Sequence, residues 1–339
     1  WTTVEAGVGF TAPVFDLTLW RRYQAARAGM DAATAERLGV REQAALLVVS
    51  QYLGAMRATA DVHAAESRVK LAQALYDLSN DLQQHGVGTG IDTLRANVQL
   101  QNEKQRLLAA RTQLETTLNG LVRLLNLDPK ETVVLADDMS FFETPAFSAE
   151  NSLDQAFAAR PELKVLAAQT RALERQQQAA KESRLPRVTV SGGWSEQGVS
   201  VTNSIPVYQY KAGVEVPLFT GGRIAAETER AAIGLQKIAQ QEQETRNRIA
   251  LEVKNAVARL ESARSQVEVA NLGVKLAKEE VTQARDRFEA GVANNIEVIS
   301  AQDSLARAND NQILALYQYN QARADLAHST GQMEKLYTR

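Results

Sequence analysis

The chain has no cysteine, which excludes disulfide cross-links and thiolate chemistry and is compatible with an oxidising compartment. Aromatic residues make up only 6% of it. Neither charge sign dominates: 38 Lys and Arg stand against 40 Asp and Glu, interspersed, so no basic surface argues for nucleic acid. No run of about 18 apolar residues exists, which excludes a transmembrane helix and says nothing of membrane strands. The three histidines, His63, His85 and His328, lie too far apart for ligand spacing, so no metal is expected. Gly86-Val-Gly-Thr-Gly90 superficially matches a phosphate loop but follows a helical stretch where a strand is required. With no catalytic constellation left, neither enzyme activity nor a cofactor is expected.

What is present is one long helical hairpin, written twice. The first copy runs from Pro13-Val14-Phe15 to a break at His85-Gly86-Val87-Gly88 and returns along Ile91 to Leu125. The second runs from Pro217-Leu218-Phe219 to a break at Ala290-Gly291-Val292-Ala293 and returns along Ile296 to His328. The offset is 204 at the prolines and 205 at the glycines. A unit this long points to duplication of a whole hairpin, not to a solenoid of short repeats. From Gly221 to Phe288 there is no proline, and a continuous helix there would be on the order of 100 Å long. Val253, Leu260, Val267, Val274, Val281 and Phe288 recur every seven residues, with Ala256, Ala263, Ala270, Ala277 and Ala284 three places after the first five. Such an a/d seam predicts left-handed supercoiling, and its alanines let a partner backbone approach. Val62, Val69, Ala58, Ala65 and Ala72 repeat the seam in the first copy. On the returning helices, Ile91, Ala96 and Leu100 fall on Ile296, Ala301 and Leu305.

Before each long helix the period changes from helical to alternating. Val4 to Phe10, Val188 to Trp194 and Tyr208 to Val216 read as three strands, the last two joined by a polar loop from Ser195 to Ile205. Alternation alone fits a small half-buried sheet as well as membrane-spanning strands, which need about 9 to 11 residues with an apolar outer face. On the membrane reading, the lipid face comprises Val8, Phe10, Val188, Val190, Trp194, Tyr208, Tyr210 and Val214, and Trp1, Trp194, Tyr208 and Tyr210 form interfacial girdles. Pro13 and Pro217 are expected to mark the strand-to-helix transition, where a missing N–H is tolerated at a helix start.

Strand followed by Val216-Pro-Leu-Phe-Thr-Gly-Gly-Arg223 at the head of a very long helix resembles the outer-membrane efflux protein family, the TolC-like channels. So do Ala159-Arg-Pro-Glu-Leu163, Leu185-Pro186 ahead of a strand, and Arg287-Phe-Glu-Ala-Gly-Val292 at a tip. Their order, spacing and duplication cover nearly the whole chain. The resemblance implies a mainly α fold with membrane β: antiparallel coiled-coil hairpins forming an α-barrel, and strands of a trimeric twelve-stranded outer-membrane β-barrel. It implies a homotrimer in the outer membrane of a Gram-negative bacterium, extending into the periplasm. Its partners would be outer-membrane lipid, a periplasmic adaptor protein and an inner-membrane RND or ABC transporter that supplies the energy. The expected function is passive export of small molecules or polypeptides, gated at the periplasmic helical tips.

The corresponding divisions are a first repeat over 1–128, a linker or equatorial segment over 129–150, a second repeat over 151–331 and a tail over 332–339. Within the second repeat a helix precedes a β-hairpin at 187–217 and a helical hairpin at 221–330. The stretch from Asp128-Pro129 to Arg160-Pro161 is read as the irregular link, which the resemblance places with the tail in a belt around the tunnel. Each family protomer gives four strands, and only three are found here. The missing part corresponds to Ser152–Tyr208 of the second half, so the chain is read as a fragment.

At the tips, Gly86, Gly88, Gly90 and Gly291 are expected to supply the positive φ of tight helix–helix turns. The resemblance directs the tips at the adaptor, with Gly86, Val87, Gly88, Arg287, Phe288, Gly291 and Val292 as contacts, Val87 and Val292 exposed. Just past them it implies an acidic entrance. The matching positions are Glu297 and Ser300, with Asp92 and Arg95 as repeat equivalents; where the family often has two acids, Ser300 replaces one and puts a double acidic ring in doubt. The competing readings are turn chemistry alone for the glycines and a helix-start acid for Glu297. A soluble coiled-coil scaffold accounts for the heptads without the strands, and a periplasmic adaptor would have one hairpin where this chain has two.

Overall fold

The heptad-patterned stretches fold into helices of 68 and 67 residues in the computed structural model, which describes residues 3–141 and 149–337. In chain order the elements are β1 (Val4–Phe15), α1 (Leu17–Gln84), α2 (Gly90–Leu124), α3 (Ala149–Ala159), α4 (Pro161–Glu182), β2 (Arg187–Ser200), β3 (Asn203–Glu215), α5 (Arg223–Glu289), α6 (Asn295–Ser329) and α7 (Met333–Tyr337). They pack as two units, Trp1–Gly39 with Pro161–Arg248, and Val40–Arg160 with Ile249–Arg339.

The first unit holds a three-stranded antiparallel sheet in the order β1-β2-β3. β2 and β3 are joined by the two-residue turn Val201-Thr202, and Gln197 pairs with Ile205 inside the ladder. The expected polar loop from Ser195 to Ile205 is therefore mostly strand. Glu196 and Gly198 occupy the otherwise apolar face there and hide the alternation, and Val-Thr lacks the glycine or asparagine that marks most two-residue hairpins.

Both prolines lie where strand gives way to helix, but neither stands at a helix start. Pro13 lies within β1 opposite Thr189, and Pro217 follows β3 several residues before α5 starts. β1 is an outer strand of this sheet, where a residue without an N–H is tolerated. The start of α1 is capped by Asp16 instead, whose Oδ1 accepts from the Leu19 N–H at 3.0 Å.

The second unit carries the seam. Val253 and Val267 are 0% and 1% exposed, and Leu260, Val274, Phe288, Ala256, Ala263, Ala277 and Ala284 are buried with them, while Ala270 and Val281 are half-buried. In the first copy Ala58, Val62, Ala65 and Ala72 are buried and Val69 is half-buried.

The repeat extends to the turns. α1 and α5 end at Gly86 (φ 75°) and Gly291 (φ 71°). α2 and α6 end at Asn126 (φ 54°) and Gly331 (φ 67°), again 205 apart. A left-handed residue after the last turn lets two N–H groups reach back to otherwise unpaired helix carbonyls.

Between the repeats, residues 149–159 are helical, so the irregular link is shorter than expected. Residues 136–141 lie as a strap in which Tyr52 Oη donates to Asp137 Oδ2 at 2.8 Å and Asn320 Nδ2 to the Ser140 carbonyl at 3.1 Å. Phe141 packs its ring 4.6 Å from that of Tyr319. The tail helix α7 is held by Glu42, which accepts from the Met333 and Glu334 N–H groups, and by an Arg41–Glu334 ion pair.

Candidate functional site

The tips are built by matching backbone bonds. Val87 N–H donates to the Leu82 carbonyl and Gly86 N–H to Gln83; 205 residues later, Val292 donates to Arg287 and Gly291 to Phe288. The returning helices are capped at the same offset, α2 by Thr89 and α6 by Asn294. Val87 and Val292 are left 76% and 68% exposed.

Two expectations at the tips need correction. Only Gly86 and Gly291 adopt positive φ there; Gly90 is the first residue of α2, and Gly88 is needed for space, since an added Cβ would sit 2.9 Å from Leu82 Cβ. Phe288 is only 6% exposed and packs in a cluster with Leu75, Ala96, Ala284, Val298 and Ala301, drawn from four helices. The heptad pattern places it at a seam position, and that burial removes it as an exposed contact.

The entrance residues follow the tips immediately. Glu297, in the first turn of α6, is ion-paired across the turn with Arg287, Oε1 to Nε 2.9 Å, both side chains half-exposed. Asp92 holds the corresponding place on α2, where its Oδ2 accepts from Thr89 Oγ1 at 2.5 Å and its Oδ1 lies 3.8 Å from Arg95. Ser300 and Arg95 are exposed. Each acid thus has a local counter-charge, and each also lies where the partial positive charge of a helix start favours it.

Two features were missed in the sequence. Asn295 is fully buried and donates from Nδ2 to the Asp92 carbonyl at 2.7 Å, tying the head of α6 to the head of α2. Its repeat counterpart is Gly90, and that mismatch was the available signal. Farther along, Arg68 contacts Asp310 at 3.0 Å and Glu103 at 3.9 Å, and Glu103, 3% exposed, also meets Arg106 at 2.6 Å. Glu103 sits at the seam place that Ala308 fills in the second copy, so an acid in an alanine position marked the cluster.

In the sheet, cross-strand partners share a face. Val8 pairs with Trp194, Trp194 with Tyr208, Phe10 with Gly192, Gly192 with Tyr210, and Val188 with Val214. Val190 lies two residues from Val188 on the same strand, so all eight apolar residues named above lie on one face. The opposite face carries glycine, serine, threonine, glutamine and charge. Gly192 lies between the Phe10 and Tyr210 rings, each 2.8 Å from where a Cβ would stand. Trp1 lies outside the described residues.

The profile of the family "Outer membrane efflux protein" matches residues 1–127 and 152–332. The chain belongs to the outer membrane efflux protein family. It is 26% identical over 337 residues to the alkaline protease secretion protein AprF of Pseudomonas aeruginosa, covering 95% of this chain and 68% of AprF. To the pyoverdine export outer membrane protein OpmQ of Pseudomonas putida it is 25% identical over 332 residues, covering 92% and 67%. The fold matches that of the outer membrane protein VceC of Vibrio cholerae, with a TM-score of 0.75 at 17% identity over 97% of this chain and 86% of VceC. It also matches the open-state MtrE outer membrane channel of Neisseria gonorrhoeae, at 0.78 and 18% over 97% and 80%. This efflux protein is an outer-membrane channel of Gram-negative bacteria, a transport protein and not an enzyme. Among the described residues no group of His, Asp and Glu is arranged to hold a metal.

Proposed function

We propose that three copies of this protein form the exit duct of a tripartite pump, with the apolar sheet face toward lipid and the hairpin tips toward a periplasmic adaptor. An inner-membrane RND or ABC transporter supplies the energy, since the chain carries no nucleotide-binding motif. The observation that carries this reading is the sheet: eight apolar side chains on one face, mainly small and polar ones on the other apart from Ile205 and Val207 near the β2–β3 turn, and outer strands β1 and β3 each with one edge unpaired among the described residues. An apolar sheet exposed on both edges is unstable in lipid until the edges close on further strands. Three copies, each completed by a fourth strand, would close them.

The tips gate the duct. Glu297 lines the entrance, its charge held by Arg287, and Asn295 joins the two tips so that one hairpin moves with the other. The names of AprF and OpmQ refer to a protease and to pyoverdine; for this protein both polypeptides and small molecules remain within the reading. The test is assembly: the full-length protein should partition into detergent and migrate as a heat-sensitive trimer. A monomer soluble without detergent would sink the proposal.

A further inference from the structure

A cleft of about 540 Å³ opens at the foot of the sheet, within the first unit, between the starts of α1 and α5 and the end of α4. Its carboxylates are all engaged. Glu182 is paired with Arg21 at 2.9 Å, Glu215 with Arg187 and Glu227 with Arg223 at 3.0 Å, while Asp16 caps α1 through the Leu19 N–H. Two further guanidiniums line the cleft, Arg22 and Arg230, and among the described residues neither makes an ion pair. The cleft thus presents two uncommitted, forked hydrogen-bond donors of the kind that match a phosphate.

Its position identifies the phosphate's source. Arg187 and Glu215, both lining the cleft, are the first residue of β2 and the last of β3, and the adjoining pair Val188 and Val214 is the end row of the apolar face. Directly after β3 come Leu218 and Phe219, 93% and 91% exposed, the highest values of any large apolar residue among the described ones. Apolar side chains beside free arginines at the end of an apolar sheet face match the boundary between acyl chains and phosphates. The helices start on the periplasmic side, so the leaflet concerned is the periplasmic one.

We infer that this cleft binds the headgroup of an anionic phospholipid, with Arg22 and Arg230 holding its phosphate and Leu218 and Phe219 inserted among the acyl chains. The inference rests on the proposed lipid-facing sheet. Holding a lipid there would fix the depth of the channel at the point where strands give way to helices.

Delipidated full-length channel, mixed with phosphatidylglycerol or with phosphatidylcholine of the same chain length and weighed by native mass spectrometry, tests it. Wild type should retain phosphatidylglycerol in preference, and Arg22→Ala/Arg230→Ala should retain at least about five-fold less with its oligomer intact. Arg22→Lys/Arg230→Lys should restore part of the retention, and Leu218→Ser/Phe219→Ser should weaken both lipids. Equal retention of the two lipids by wild type, or unchanged retention in the alanine variant, overturns the assignment. So does displacement of phosphatidylglycerol by millimolar inorganic phosphate, which would make the cleft a free-phosphate site. Because the chain has no cysteine, a spin label on Val8→Cys reports the sheet face separately. A label shielded from membrane-dissolved oxygen removes the lipid-facing sheet, whereas an accessible label with no lipid preference removes only the cleft.

Discussion

The two hairpin tips share a backbone and differ in side chains. Both turn on one left-handed glycine, both close it with the same pair of reverse hydrogen bonds, and both start the returning helix with a side-chain cap. Yet at the shared offset of 205, exposed Gln83 corresponds to buried Phe288, Gly90 to buried Asn295, and Leu82 to Arg287. Higher up, the Arg68 and Glu103 of the first hairpin correspond to Gly273 and Ala308. Turn geometry admits few residue types, so duplication leaves it alone. The side chains around it are free to specialise, and here the second copy supplies the apolar anchor while the first supplies the buried charge.

The anchor gives the largest expected difference. Phe288→Ala removes a ring buried in the cluster that the four helices share at the tips and should cost about 3 to 5 kcal/mol locally, whereas Gln83→Ala should cost less than about 0.5 kcal/mol. Hydrogen exchange of the tip amides measures both, and acceleration should reach the heads of α2 and α6 together. Equal effects at the two positions would make the tips equivalent after all.

Next comes the charge cluster. Arg68→Ala leaves Glu103 buried with only Arg106 as a cation, and an uncompensated buried charge costs about 3 kcal/mol. Replacing Arg68 by Met and Glu103 by Leu together gives the first hairpin an apolar centre like that of the second, and should be near neutral in chemical unfolding of the channel. A double variant as unstable as the single one would show that the first hairpin depends on the ion pair itself.

The same contrast explains what the sequence made legible. The helices, their breaks, the offset and the sheet face follow from periods of seven and two, which strand and helix geometry impose directly. Family membership was legible from strand-to-helix and tip motifs in fixed order. Pro13 misled because proline suits an edge strand as well as a helix start, and Gly88 and Gly90 misled because close packing and helix entry use glycine without positive φ. Asn295 reaches Asp92 across 203 residues and Arg68 reaches Asp310 across 242, and no local period encodes such contacts. Comparison of the two copies, position by position, would have exposed both.

A smaller effect on stability, with a clear effect on conduction, is expected where Arg287 meets Glu297. Both side chains are about half exposed, so Arg287→Leu, which installs the first copy's residue, should change stability by less than about 0.5 kcal/mol. It should also free the Glu297 carboxylate and increase cation preference in planar bilayers, a ring of acids at a pore favouring cations. Glu297→Ala should shift the reversal potential the other way with assembly intact. Unchanged potentials in both variants would remove Glu297 from the entrance.

The smallest expected effect lies at Asp61, whose counterpart in the second copy is the neutral Gln266. Burial raises the Asp61 carboxyl above the ordinary carboxylate range, Arg57 opposes this, Asp310 adds to it, and Arg68 again opposes it. A folded-state value above the unfolded one means that the folded chain holds the proton longer. The associated stability is complete below the unfolded value of about 4 and is lost as pH rises through the folded value. Asp61→Gln should therefore flatten the decline in unfolding free energy just above about pH 4, and Gln266→Asp should not create one of the same size, because Gln266 is exposed and lacks the burial that raises the Asp61 carboxyl. The half-exposed Arg57–Asp61 pair adds little to either variant. Parallel pH profiles for wild type and Asp61→Gln would show that the carboxyl titrates as it does in the unfolded chain.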